Sequence, residues 1–151
     1  MNKVIILLTL IITHLTEMPV QQAQIPASAL YVAHQRTGVP LDILTAVAYT
    51  ESRFKCDAVG RYGEIGLMQI NPKVWRFDYP DFLFDCYANA LAGAEILKYY
   101  YNQTGSWAEA VERYNGNGKQ AKRYAFKVLL TAQNVDIFRL YQTEGAVIPQ
   151  N

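Results

Sequence analysis

A chain of 151 residues that is 51% hydrophobic and 18% charged can bury one ordinary core and is short for two. Its formal net charge is +1, with no Lys/Arg run or basic stripe, which argues against a nucleic-acid partner held through phosphates. Eleven tyrosines and two tryptophans provide amphipathic rings for surfaces that are partly apolar and partly wet.

Met1-Asn2-Lys3, the apolar run from Val4 to Ile12 and a polar stretch ending near Gln22-Ala23-Gln24 follow the order of a secretory signal. The run is shorter than the ~20 residues a transmembrane helix needs, so export is expected over anchoring. Cleavage after Ala23 divides the chain into a signal peptide at 1–23, a single domain at 24–142 and a flexible tail at 143–151. Gln21 is atypical for a cleavage site, and an uncleaved amino-terminal anchor is the alternative.

Ser28 is a candidate cap for a helix through Leu30 and Val32 to Thr37, with Gly38 at a left-handed stop. Pro40 fits the first turn of a second helix, Leu41 to Ser52. Leu41, Leu44, Val47, Ala48 and Glu51 recur at helical spacing, so the Glu51 carboxyl shares the stripe of the buried side chains. Desolvation there disfavours its ionised form, and such an acid can hold a proton to donate.

Gly60, Gly63 and Gly66 mark a loop from Lys55 with at most a short hairpin, followed by a possible strand at Leu67 to Ile70. Asn71-Pro72 opens a helical turn, and Phe77 to Phe84 reads as loop. A long helix is expected from Asp85 to Asn102, with Leu91, Ala94, Leu97, Lys98 and Tyr101 at three- and four-residue steps, ending at Gly105. Ser106-Trp107-Ala108-Glu109 is a capping box for a helix that Asn115-Gly116-Asn117-Gly118 must break. One helix is expected from Lys119 to Ala132 and a last short one from Val135 to Tyr141. Cys56 and Cys86 form an even pair, which in an exported protein points to one disulfide closing a loop of about thirty residues. Two buried free thiols are the alternative. The pair has no tetrahedral zinc spacing and no nearby histidine, and no cofactor is expected.

Four segments in order carry a resemblance. They are Ala48-Tyr49-Thr50-Glu51-Ser52-Arg53-Phe54, then Gly63-Glu64-Ile65-Gly66-Leu67-Met68-Gln69-Ile70-Asn71-Pro72, then Asn89 to Leu97 with Gly93, and finally Arg113-Tyr114-Asn115-Gly116. Together they resemble the lysozyme-like lytic transglycosylases, the SLT type of glycoside hydrolase family 23, over roughly residues 27 to 130. The resemblance implies a mainly α, lysozyme-like (goose-type/SLT) single domain. It implies a peptidoglycan substrate cut between N-acetylmuramic acid and N-acetylglucosamine, with a 1,6-anhydro product.

In that reading Glu51 is the catalytic acid, and Ser52, Met68, Gln69, Tyr114 and Asn115 are substrate-binding or supporting residues. An intramolecular hydroxyl needs only orientation as nucleophile, which removes the need for a second acid. Asp57 and Glu64 are expected in solvated loop roles, and Glu95 as a buried structural partner. Ser52 has no histidine near it, so a nucleophilic pair would have to rest on His34 alone, and it is read as a hydrogen-bonding support. Trp75 and Trp107 are expected to pack rather than to present platforms for sugars. Gly116-Asn117-Gly118 departs from the family's usual glycine placement, so Asn117 and Gly118 are not carried over. The small size and the Cys pair resemble specialised monomeric members that open the wall in the periplasm for secretion, conjugation or pilus machines. A goose-type hydrolase and a non-catalytic wall-binding module are the competing readings.

Overall fold

In a computed structural model of the chain, residues 2–143 are described, with side chains as far as Asp136. Among them are six α-helices: α1 Lys3–Thr16, α2 Val20–Thr37, α3 Leu41–Ser52, α4 Cys86–Thr104, α5 Trp107–Asn115 and α6 Lys119–Thr143. A 3-10 helix, Pro80–Phe84, precedes α4. Sheet is reduced, among the described residues, to single antiparallel bridges of Ile65 with Val59 and with Ile70. The chain is mainly helical, as a lysozyme-like domain requires.

Helix α3 has the boundaries its sequence sets, with Pro40 as the residue before its first turn. Leu44, Val47 and Ala48 are fully buried, while Thr50 and Glu51 are partly exposed at its end. It stops at two consecutive non-glycine residues in the left-handed region, Arg53 (φ 52°) and Phe54 (φ 64°). Their amides return to the carbonyls of Tyr49 and Ala48, and Phe54 is buried against the Tyr49 ring. Left-handed backbone at side chains of this size is unfavourable, and packing holds it beside the carboxyl that ends the helix.

Helix α4 begins at Asp85, whose carboxylate accepts from the Ala88 amide, and ends at Gly105 in the left-handed conformation. Its buried face is Cys86, Asn89, Ala90, Gly93, Ala94, Ile96 and Leu97; Leu91 stands at the margin, so the stripe is turned from the one expected. Alanines crowd the buried faces of α2 (Ala23, Ala27, Ala29, Ala33) and α4, two helices in extensive contact. Small side chains allow such close approach. Helix α6 packs on α3 and α5, placing Tyr124 and Val128 behind the end of α3.

Several expectations are corrected. Helix α2 starts at Val20 with Pro19 before it, so Ser28 lies inside the helix and caps nothing. The intervening sequence contains no left-handed or proline stop that would separate 20–27 from 28–37, because Pro26 costs one hydrogen bond without ending the helix. Residues 66–69 are a turn and Ile70 makes only a single bridge to Ile65, so 67–70 is not a strand; Gly66 (φ 78°) and Gln69 (φ 49°) both leave the extended region. The segment after Asn71 is one turn: its side chain accepts from the Lys73 and Val74 amides, and Arg76 (φ 57°) ends it. Part of the expected loop at 77–84 is the 3-10 helix. The helices expected at 119–132 and 135–141 are one, since Gln133-Asn134 carries no stop signal. Of the tail expected at 143–151, Thr143 is the last residue of α6 and the rest lies outside the described residues.

Helix α1 packs against α2, and its Leu8, Ile11 and Ile12 are nearly or fully buried. Among the described residues no helix is long and apolar enough to cross a membrane. Cys56 and Cys86 are disulfide-bonded, which ties the loop after α3 to the start of α4.

Candidate active site

An open cleft of about 360 Å³ lies between the end of α3, the loop at 64–75, α4 and the end of α5. Glu51 and Glu64 both line it, together with Gln69, Trp75, Tyr100, Tyr114 and Asn115.

The cleft floor is assembled around one buried amide. Asn89, fully buried on α4, accepts from the Met68 amide at 2.8 Å. Its Nδ2 donates to the carbonyls of Ile65 and Leu83, both at 2.8 Å. Two of these bonds fix the turn at 65–68 and the third ties it to the 3-10 helix at Leu83, and an unpaired amide at this depth would be costly. Gly66 is required here, because a Cβ would collide with the Asn89 side chain and sit 2.7 Å from the Leu83 carbonyl. Gly93, one turn further along α4, lies where a Cβ would meet Met68 Cβ at 2.7 Å. The third and second sequence segments thus interlock.

The other two segments close on the same turn. Ser52 Oγ donates to the Leu67 carbonyl at 2.7 Å and contacts the Ala48 carbonyl at 3.1 Å. Tyr114 Oη donates to the Met68 carbonyl at 2.7 Å. Helix α3 and helix α5 are therefore each pinned to one residue of the Leu67-Met68 pair. Ser52 and Met68 are buried beneath the cleft rather than lining it. No nucleophilic pair involves Ser52, since His34 Nδ1 is instead 2.7 Å from the Val39 carbonyl. Gln69, in strained left-handed backbone, is held by Nε2 donating to the carbonyls of Gly66 (3.0 Å) and Ala58 (3.2 Å).

Glu51 is the chemically distinctive group. Burial pushes its pKa from an ordinary 4.5 to about 7; Tyr124, whose Oη donates to Glu51 Oε1 at 2.6 Å, pulls the other way, and the nearby Glu64 charge adds to the rise. The phenols of Tyr114 and Tyr124 are themselves raised well above their usual range, first by burial and then by the Glu51 charge. Both remain protonated donors beside the carboxyl. A half-buried acid at the bottom of an open cleft, protonated near neutrality and oriented by a phenol, can deliver a proton to a bound ether oxygen.

Several contributors differ from the sequence expectation. Tyr124 was not singled out in the sequence; it lies 73 positions from Glu51 and follows none of the four segments closely. Glu64 faces the cleft instead of open solvent, with its Oε2 accepting from the Tyr62 amide at 2.9 Å. Asp57 is exposed and outside the cleft, and Glu95 is exposed on α4 rather than buried. Trp75 lines the cleft, edge-on to Tyr99 and Tyr100 at 6.0 and 5.9 Å, whereas Trp107 stacks on Tyr101 at 4.1 Å away from it. Such a cleft wall suits a sugar face. Among the described residues no three His, Cys, Asp or Glu side chains converge as a metal site would.

The profile of the transglycosylase SLT domain family matches residues 28–129, about two-thirds of the chain and all four segments that build the cleft. No curated protein and no solved structure matches the chain significantly.

Proposed function

This chain belongs to the transglycosylase SLT domain family and is a peptidoglycan lytic transglycosylase, and from that premise we propose the course of its reaction. Glu51 protonates the oxygen between N-acetylmuramic acid and N-acetylglucosamine, breaking the bond from that oxygen to the muramyl anomeric carbon. The muramyl 6-hydroxyl attacks the same carbon and gives its proton to the Glu51 carboxylate. The products are a 1,6-anhydromuramyl end and a free 4-hydroxyl, with no water consumed. The observation that carries this reading is the raised Glu51 pKa of about 7, which leaves the acid both protonated enough to donate and ionised enough to accept. Gln69, Tyr114 and Asn115 border the sugar, with Ser52 and Met68 holding the floor beneath.

Glu64 favours a second reading. Two carboxylates in one cleft are the usual equipment for hydrolysis, one as acid and one as base for water. Mass spectrometry of muropeptides released by the full chain separates the two. Anhydro products, absent with Glu51→Gln, support the transglycosylase course; products one water heavier would replace it with hydrolysis.

The biological setting we infer is the periplasm, reached through the amino-terminal signal at 1–23, where a monomer opens the wall for an envelope-spanning secretion, conjugation or pilus machine. The apolar run after Lys3 and the Cys pair support export. Deleting the gene should impair such a machine without altering cell shape, and unimpaired secretion and transfer would remove this setting.

A further inference from the structure

Among the cleft-lining residues two are acids, Glu51 and Glu64, and one is a cation, Arg113. Arg113 lies in the last turn of α5, directly before Tyr114. Because Tyr114 Oη is fixed to the Met68 carbonyl at 2.7 Å, this end of α5 has a set position relative to the cleft floor. The guanidinium is held on one edge by Nη1 donating to Gln103 Oε1 at 3.2 Å, a neutral amide. No carboxylate pairs with it among the described residues. A guanidinium has five N–H donors in a rigid fork, so one bond to an amide leaves donors directed elsewhere. The favourable field at a helix C-terminus accounts for a cation in this turn but not for its place in the cleft wall.

The sugars of the glycan carry neutral hydroxyl and acetamido groups. Its anionic chemistry is on the arm attached to each muramyl residue, as the lactyl carboxyl or the carboxylates of a peptide stem. Resting on the peptidoglycan reading above, we propose that Arg113 is a specificity residue that receives a carboxylate of the peptide stem and so makes the cleft prefer strands with free stem carboxylates. The planar fork matches a carboxylate with two parallel hydrogen bonds, which a lysine at this position does not reproduce.

The test uses the full chain and three soluble glycan preparations: strands with intact stems, the same strands after carbodiimide and ammonia have turned carboxylates into amides, and strands whose stems have been removed to leave the lactyl carboxylate. Binding of all three to the Glu51→Gln protein is measured by calorimetry, alongside cleavage by the active protein. The proposal expects binding and KM to favour the intact stems over the amidated ones by roughly tenfold, weakening with salt. Arg113→Gln should abolish that preference, with the loss falling on KM, and Arg113→Lys should recover only part of it.

Equal treatment of intact and amidated strands by the parent chain would overturn the proposal. So would an equal fall in kcat on both in Arg113→Gln, which would make the residue a support for α5. Stem-free strands bound as tightly as intact ones would transfer the contact to the lactyl carboxylate and overturn the stem assignment. Preferential binding without cleavage of any strand would leave Arg113's role standing while removing the catalytic reading.

Discussion

Tyr124 on α6 donates a 2.6 Å hydrogen bond to Glu51 Oε1 at the end of α3, so the packing of these two helices orients the acid in the cleft. The bond stabilises the ionised carboxylate, while burial and the Glu64 charge oppose ionisation. Two substitutions should therefore move the activity profile in opposite directions. Because Glu51 must start protonated, kcat/KM should fall as pH rises through about 7. Tyr124→Phe removes a bond to the charged form, raises the Glu51 pKa and should shift that alkaline limb upward, with a loss of rate from poorer orientation. Glu64→Gln removes a like charge, lowers the Glu51 pKa and should shift the limb downward. pH profiles of both variants check this, and shifts of the same sign would refute the assignment.

The raised pKa also has a cost in stability. A carboxyl with a pKa of 4.5 in the unfolded chain and about 7 in the folded one binds more protons when folded, so stability falls as pH rises between those values. The cost is complete above pH 7 and absent below 4.5. Glu51→Gln removes it, and should stabilise the fold at pH 8 by up to roughly 3 kcal/mol while leaving pH 4 little changed. Urea unfolding at both pH values measures the difference; equal effects at the two would mean the carboxyl is not desolvated in solution.

Much of the cleft follows from short-range pattern. Leu44, Val47 and Ala48 fall one helical turn apart on the buried side of α3, so Glu51 had to emerge near the core. Proline before α3 and glycine after α4 mark ends that local backbone chemistry determines. Tyr124 was illegible because its contact depends on how α6 crosses α3, which no local spacing encodes. Glu64 was read as a solvated loop residue because its direction depends on the turn at 60–66, where a Cβ on Gly60 would clash with the Glu64 carboxylate. The strand expected at 67–70 failed for a related reason: a short, mostly apolar run is satisfied equally by a buried turn, with the Met68 and Ile70 amides taken by Asn89 and Ile65.

Asn89 should be among the least replaceable residues outside the cleft. Asn89→Ala leaves the Met68 amide and the Ile65 and Leu83 carbonyls without this partner, all in a buried position. The Ile65 carbonyl keeps its bond from the Ile70 amide, so two groups are left unsatisfied; each costs about 1–3 kcal/mol, and a loss of at least about 2 kcal/mol is expected in denaturant unfolding. Because the same turn carries Gln69 and receives Ser52 and Tyr114, cleavage should fall even where the variant remains folded. A stability change within about 0.5 kcal/mol would show that water replaces the amide without penalty.

The Cys56–Cys86 bond encloses the segment that carries Glu64, Gln69 and Trp75, which contains bridges and turns but no long helix to hold it. Its residues are 30 apart, and closing a loop of that size contributes on the order of 3 kcal/mol by restricting the unfolded chain. Reductant should lower the melting temperature of the parent chain, and Cys56→Ser with Cys86→Ser should reproduce that lower value and be insensitive to reductant. The cross-link acts mainly on the unfolded state, so the folded double variant should keep its alkaline activity limb near pH 7. A melting temperature unmoved by both reductant and substitution would mean that the thiols are unpaired in solution.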